Sequence, residues 1–175
     1  VHVIDTATGH EFGYRSDELF MMLSSFKLLA SALVLARVDR GEESLTRRIR
    51  YRKQDLVPWS PVTEANADGE GLTLAQLCHA TITTSDNTAG NLILASYGGP
   101  QALTQYARQL GDKVTRLDRN EPDLNTRVEG GTLDTTSPRA MAMTMNKLLL
   151  GDALSPSSRN LLRQWLLENT TGGKR

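Results

Sequence analysis

The sequence is poor in the residues that build disulfides and metal sites. It has one cysteine, Cys78, and three histidines in 175 residues. A single thiol excludes an internal disulfide and leaves the redox compartment open. The histidines, His2, His10 and His79, are scattered without the spacing of metal ligands. We therefore predict no metal site and no cofactor.

Net charge and long apolar runs are absent as well. Twenty Lys and Arg residues balance twenty Asp and Glu residues. A chain without excess charge is poorly suited to nucleic acid or to an anionic membrane, so we predict neither as a partner. The longest apolar run, Leu28 to Val38, is too short and too interrupted to span a membrane, and no segment reads as a signal peptide.

The pattern along the chain predicts two strands followed by helices. Strands are expected over 1–5 and 11–14, around a turn. Helices are expected over 24–40, 74–83, 88–97 and 100–111, and after the Ser-Pro pairs at 137–138 and 155–156. A lone two-stranded hairpin is marginal in water, so we expect these strands to need a larger sheet that this chain does not supply.

The stretch LSSFKLLA places a lysine in an apolar helix. From Phe26 to Val38 only Lys27, Ser31 and Arg37 are polar, which is typical of a buried helix. Burial and the positive end of the helix dipole both lower a lysine pKa. Ser24 lies one turn earlier on the same face, where a neutral amine could activate its hydroxyl. The simpler interpretation is that Ser24 is an N-cap and Lys27 extends its head to water.

Two more polar groups stand out, each with a simpler alternative. Residues 85–87, Ser-Asp-Asn, break two helices, and could be a plain turn with a helix cap. Glu121 and Asn125 lie in a long irregular loop, and could belong to a solvated turn. Arg119 and Asp134 bracket that loop, and could close it as an ion pair or be unrelated surface charges.

The order of these features resembles the class A serine β-lactamases. Ser-x-x-Lys, then Ser-Asp-Asn, then Glu-Pro-Asp-Leu-Asn follow one another as in that family. The phrases DLVPWSPVTE, TITTSDNTAGNLIL, LDRNEPDLNT, LDTTSPRAMA and ALSPSSRNLLRQWLLENTTG extend the resemblance over essentially the whole chain. It implies an α+β fold of the serine β-lactamase and penicillin-binding-protein type, here mostly the helical domain.

The resemblance also implies a division of the chain. Residues 1–22 would be an N-terminal strand pair of the α/β domain, and 23–169 the helical domain with its active-site loop at 119–134. Residues 170–175 would link to C-terminal strands. The family's leading helix and its Lys-Thr-Gly strand are not found in this sequence. We expect the 1–175 chain to be weakly active or inactive alone.

Catalytic roles follow from the resemblance residue by residue. Ser24 would be the acylated nucleophile, and Lys27 the amine that helps to take its proton. Ser85 would pass that proton to the departing lactam nitrogen. Glu121 would act as general base through a water that Asn125 also holds. Whether Glu121 or Lys27 is the base in acylation is unsettled for the family.

Binding and structural roles are implied in the same way. Asn87 would orient the catalytic lysine and the amide of the substrate, and Trp59 would form a wall of the cleft. Arg175 would face the substrate carboxylate. Arg119 and Asp134 would hold the loop that presents the glutamate. Cys78 is expected to be a buried free thiol.

Three functions remain under consideration. The first is hydrolysis of β-lactam antibiotics, in the periplasm or after secretion by family resemblance. The second is a DD-peptidase-like penicillin-binding protein, which shares the serine and lysine but not the pair Glu121 and Asn125. The third is a non-catalytic fragment that needs complementation, with the missing C-terminal part of the same enzyme as its partner.

Overall fold

The computed structural model describes residues 1–172, which form six short strands and six helices. The strands are β1 (His2–Ile4), β2 (Glu11–Gly13), β3 (Phe20–Met21), β4 (Arg48–Ile49), β5 (Leu72–Thr73) and β6 (Thr135–Thr136). The helices are α1 (Phe26–Asp39), α2 (Leu74–Thr83), α3 (Asn87–Ser96), α4 (Pro100–Gln109), α5 (Pro138–Leu149) and α6 (Pro156–Leu167). The strands pair antiparallel as β1–β2, β3–β6 and β4–β5.

Helix α1 forms the centre of the core. All its residues from Phe26 to Ala36 are buried, and it contacts α2, α3, α4 and α6. A helix that is apolar all round gains stability only when other elements surround it, which is why the other helices pack on it from several sides. The catalytic candidates at its first turn are therefore attached to the buried central helix.

The helix starts confirm the sequence prediction where a cap residue is present. Thr73 caps α2 by accepting the N–H of Gln76 at 3.2 Å. Ser137 and Ser155 cap α5 and α6, each followed by proline at the first helical position. Asp39 at the end of α1 accepts the N–H of Ser155 at 2.8 Å, which fixes α6 against the central helix.

Two parts of the secondary-structure prediction are wrong. The first helix does not begin at Ser24, because residues 23–25 form a short 3-10 turn before α1. Leu23 has φ 47°, a left-handed conformation that an α-helix cannot include. The chain beyond the first hairpin is also not all helical. The pairs β3–β6 and β4–β5 have two residues in each strand, too few to give an alternating pattern.

The N-terminal hairpin is fixed to α5 by ion pairs. Arg139 donates to Asp17 at 2.9 Å and to Glu11 at 3.1 Å. In this hairpin Phe12 pairs with Val3, and Phe12 is 68% exposed. Within residues 1–172, the structure contains no helix that is both long enough and apolar enough to cross a bilayer.

Cys78 is a buried free thiol, as predicted. Burial raises its pKa from 9.0 to about 12, while the Ser31 hydroxyl opposes the shift. As the pH rises, the Cys78 thiol loses its proton in the unfolded chain before it does so in the folded chain. The burial of the neutral thiol therefore contributes fully to folding stability below pH 9, and this contribution is lost as the pH rises towards 12. We expect the free energy of unfolding to fall in this window by up to about 1.4 kcal/mol per pH unit more than in Cys78→Ala. Urea unfolding of both proteins across the window measures this, and equal slopes would contradict it.

Candidate functional site

Ser24 lies in the exposed turn that leads into α1. The turn is held locally, since Ser25 Oγ donates to the carbonyl of Met22 at 2.6 Å. The left-handed backbone of Leu23 reverses the chain just before the serine. Strain of this kind persists only where the surrounding structure imposes it, and it clusters at functional sites. The local sequence therefore presents the Ser24 hydroxyl to solvent beside a buried helix.

Lys27 is buried, with 2% of its surface exposed. Its Nζ atom lies 3.1 Å from Ser24 Oγ, 2.9 Å from Ser85 Oγ and 2.5 Å from Asn87 Oδ1. A carboxylate oxygen of Glu121 is 3.3 Å away. The interpretation of Lys27 as a side chain that extends to water is therefore wrong. The Ser24 hydroxyl accepts hydrogen bonds within the site and does not cap the helix.

Burial and neighbouring charge act in opposite directions on Lys27. Burial lowers the pKa of its ammonium below the usual value, and this effect prevails. The carboxylates of Glu121 and Asp86 oppose it by favouring the charged form. The lowered pKa was expected from the sequence. It brings the amine closer to the range in which a lysine can accept a proton.

Ser85 bridges the lysine and the first serine. Its Oγ donates to Ser24 Oγ at 3.0 Å, and its backbone has φ 59°. The buried carboxylate of Asp86 fixes this turn by accepting the N–H groups of Val62 and Thr63 at 2.9 Å and that of Ala89 at 2.8 Å. Asp86 thus caps α3 and ties it to the 57–66 segment. The predicted break between two helices is confirmed, and it is rigid.

Glu121 faces Lys27 from the long loop. It is buried, and its Oε2 accepts a hydrogen bond of 2.5 Å from Asn125 Nδ2. Its Oε1 atom is buried, forms the 3.3 Å ion pair with Lys27 Nζ, and accepts no other hydrogen bond from residues 1–172. The Glu121–Pro122 peptide bond is cis. A solvated turn does not describe this segment, because the carboxylate is buried between Asn125 and Lys27.

The base of the loop is closed by the predicted ion pair. Arg119 Nε donates to Asp134 Oδ2 at 2.6 Å. The other carboxylate oxygen accepts the N–H groups of Asp118 and Arg119 at 2.8 and 2.9 Å. The carbonyl of Asp134 accepts the N–H of Met22 at 2.8 Å, two residues before Ser24. One buried residue therefore joins both ends of the loop to the segment that precedes Ser24.

Trp59 lies next to the Ser85 turn. Its side chain is 67% exposed, its backbone has φ 63°, and its Nε1 donates to the carbonyl of Thr84 at 3.0 Å. This position at the rim is compatible with a wall of the cleft. Arg175, the candidate for the substrate carboxylate, lies outside the described residues.

Sequence reasoning missed three polar residues near the site. Asn91 on α3 accepts the N–H of Glu121 and donates to its carbonyl, both at 2.9 Å. Asn169 and Thr171 line a cavity of about 280 Å³ beside Ser24. Asn169 reaches it because its Nδ2 donates to the carbonyl of Ile82 at 2.6 Å. No local sequence pattern predicts these contacts. The contacts of Asn91 and Asn169 join residues at least 30 positions apart, and Asn169 and Thr171 lie in the segment after the last helix.

The Asn91 contact allows a stability prediction. Asn91→Ala leaves a buried N–H and carbonyl of Glu121 without partners, which costs about 1–3 kcal/mol for each unsatisfied group. We expect the free energy of unfolding to fall by about 2–4 kcal/mol in urea titrations. Asn160→Ala, at an exposed position of α6, is the matched control and should change little. Equal stability of the two variants would show that Asn91 does not hold the loop.

The residues that come together define a class of site. A buried lysine lies within hydrogen-bond distance of two serine hydroxyls, which also bond each other, and within ion-pair distance of a buried carboxylate. No group of three or more His, Cys, Asp or Glu side chains within residues 1–172 is placed to hold a metal ion. The site is therefore one of serine and lysine with an adjacent carboxylate.

Known proteins carry the same fold. A family model described as the β-lactamase enzyme family matches residues 1–174. A β-lactamase of Streptomyces albus G is 50% identical over 183 residues, covering 100% of this chain and 57% of that protein. The structure of PenP from Rhodopseudomonas palustris is 58% identical with a TM-score of 0.96. The match covers 99% of this chain and 66% of the PenP chain.

A class A β-lactamase reconstructed as the last common ancestor of Gram-negative bacteria gives the same result. It is 60% identical with a TM-score of 0.97, over 99% of this chain and 66% of that one. The chain described here therefore belongs to the β-lactamase enzyme family, and its fold is that of the class A members. It spans 57% of the Streptomyces albus G relative.

Proposed function

We propose that this chain carries the acylation machinery of a serine β-lactamase and that its substrates are β-lactam antibiotics. The observation that carries the proposal is the position of Lys27 Nζ, which lies 3.1 Å from Ser24 Oγ and 2.9 Å from Ser85 Oγ. Family membership supports the substrate class. Action on such antibiotics outside the cytoplasm, in the periplasm or after secretion, is part of the same proposal.

In acylation, Ser24 Oγ attacks the lactam carbonyl and its proton leaves towards Lys27. The new bond is between Ser24 Oγ and the carbonyl carbon, and the bond that breaks is the lactam C–N bond. Ser85 donates to Ser24 Oγ and contacts Lys27, so its hydroxyl can carry the proton on to the leaving nitrogen. Glu121, 3.3 Å from Lys27, is the alternative acceptor of the serine proton through a water.

In deacylation, Glu121 acts as general base on a water that attacks the acyl carbonyl. Its Oε2 is held by Asn125, and its buried Oε1 retains acceptor capacity towards the site. The serine is released when the ester C–O bond breaks and Ser24 Oγ regains a proton. A DD-peptidase-like function is less well supported, because such enzymes lack this glutamate and asparagine pair.

Acylation and turnover test the proposal separately. The 175-residue chain is incubated with a penicillin, and a covalent adduct is expected on the Ser24 peptide by mass spectrometry. Nitrocefin hydrolysis is then compared with a chimera that continues into the C-terminal region of the Streptomyces albus G relative. We expect the chimera to hydrolyse nitrocefin, and the ratio of the two rates measures what the added region contributes to turnover. If neither the chain nor the chimera forms an adduct or hydrolyses nitrocefin, the proposal is wrong and the chain has a non-catalytic role.

A further inference from the structure

The turn of residues 57–60 is bound to the start of α3 by two buried hydroxyl groups. Thr88 Oγ1 accepts the N–H of Val57 at 2.9 Å, and Ser60 Oγ donates to the carbonyl of Val57 at 2.7 Å. The two hydroxyl oxygens lie 2.7 Å apart. Because the Ser60 hydroxyl donates its one proton to the Val57 carbonyl, the Thr88 hydroxyl must donate to Ser60 Oγ. The Val57 N–H, the Val57 carbonyl and the two hydroxyl groups therefore form a closed cycle in which every hydrogen bond points the same way round.

The turn in this cycle holds Asn87 by both its backbone and its side chain. The carbonyl of Pro58 accepts Asn87 Nδ2 at 2.8 Å, and the carbonyl of Trp59 accepts the N–H of Asn87 at 3.0 Å. A carbonyl oxygen can only accept, so the amide must turn its nitrogen to Pro58. Its oxygen then faces Lys27, 2.5 Å from Nζ.

The same turn holds Trp59 in an unfavourable conformation. A bulky residue with φ 63° is an outlier that persists only where the surroundings determine it. The indole contributes one hydrogen bond, to Thr84, and is otherwise largely exposed. The hydroxyl cycle is the buried contact on Val57 within this turn, since Thr88 is 1% and Ser60 7% exposed, while Asp86 holds the following residues Val62 and Thr63.

We propose that the Ser60–Thr88 hydroxyl pair is a positioning device for the site. It holds the 57–60 turn so that the Pro58 carbonyl orients the Asn87 amide towards Lys27 and keeps Trp59 at the rim. Neither hydroxyl touches the reacting groups. The geometric part is independent of substrate, and only its effect on acylation rests on the proposed function.

Loss of the pair has a defined consequence for Lys27. The carboxylates that face this lysine are Glu121 and Asp86, and both remain. An Asn87 amide that is free to rotate can present its NH2 group in place of its oxygen, which disfavours an ammonium. The pKa of Lys27 therefore falls below its value in the unmodified chain.

Two measurements on Thr88→Val test this. The first is a pH titration of the Lys27 side chain by NMR with lysine labelled at Cε, assigned with Lys27→Arg. The second is fluorescence anisotropy of Trp59 in a Trp165→Phe background, which leaves a single tryptophan. We expect a downward shift of the Lys27 titration and a loss of Trp59 anisotropy. Thr88→Ser keeps the hydroxyl and should restore both signals.

A merely structural role predicts a different pattern. Thr144→Val removes another buried threonine hydroxyl, on α5, far from the turn, and should lower stability without moving either signal. If Thr88→Val does not fold, Ser60→Ala removes the other half of the pair and carries the same expectation. Unchanged titration and anisotropy in a folded variant of the pair would overturn the proposal.

The rate of acylation is a third measurement, and it distinguishes the proposed β-lactamase function from the positioning role of the Ser60–Thr88 pair. With a penicillin, we expect the rate of adduct formation on Ser24 to fall by roughly 10- to 100-fold in Thr88→Val, the size typical of a misplaced catalytic group. If neither the unmodified chain nor the chimera forms an adduct but both spectroscopic signals shift, the proposed function fails and the positioning role stands. If the adduct forms equally fast in all variants and the signals do not shift, the positioning role fails alone.

Discussion

Ser24→Ala forms no covalent adduct with a penicillin, whereas the unmodified chain is acylated on the Ser24 peptide. The reason is that acylation needs an oxygen nucleophile beside Lys27, and Ser24 Oγ, 3.1 Å from its Nζ, is the exposed one. Loss of a serine nucleophile lowers the rate by about 10⁶-fold in other hydrolases. Intact-protein mass spectrometry over time measures the adduct directly.

The neighbouring serine supplies the control for this result. Ser25 is also exposed, but its hydroxyl donates to the carbonyl of Met22 and does not contact Lys27. Ser25→Ala should therefore still be acylated. The fold of Ser24→Ala is expected to survive, because Lys27 retains its hydrogen bonds to Ser85 and Asn87. An adduct that persists in Ser24→Ala would assign the nucleophile to another residue.

The local part of this site could be read from the sequence. The spacing of three residues places Ser24 one turn before Lys27, although Ser24 itself precedes α1, and the apolar run around Lys27 indicates its burial. The helix starts at Thr73, Ser137 and Ser155 follow from cap residues and proline. These are short-range effects, in which the residues that decide the structure are neighbours in the chain.

Contacts between distant segments could not be read in this way. The clamp of Asn91 on the Glu121 backbone, and the link from the Asp134 carbonyl to Met22, depend on how the loop lies against α3 and β3. The left-handed backbone of Leu23 could not be predicted from the residue itself, since leucine has no preference for it. The resemblance supplied the roles of the loop residues, and the geometry adds the residues that hold them.

Asp134, at one end of the 119–134 loop, binds two different segments of the chain. The Asp134 carboxylate holds Arg119, near Glu121, while its carbonyl holds the segment before Ser24. Ser24 and Glu121 thus share a buried support, although they lie 97 positions apart in the sequence. This explains how a loop with little regular structure can present a carboxylate at a fixed distance from the lysine.

Glu121→Gln is expected to retain acylation and to slow deacylation by about 10²–10⁴-fold, the usual contribution of a general base. The amide keeps the shape of the side chain and an oxygen for Asn125, but it cannot accept a proton from water. It also removes the carboxylate that opposes the effect of burial on Lys27, so the pKa of Lys27 falls further. The lysine then remains able to accept the Ser24 proton, while the acyl group is not hydrolysed.

Mass spectrometry after a single addition of a penicillin distinguishes the two steps. In Glu121→Gln of the chimera with the Streptomyces albus G region the adduct should form promptly and persist, and in the unmodified chimera it should decay. Asp123→Asn changes an exposed carboxylate two residues away in the same loop and should leave the decay unaltered. If the adduct forms at least about 10²-fold more slowly in Glu121→Gln and decays at the normal rate, Glu121 is the base of acylation, and Lys27 does not replace it.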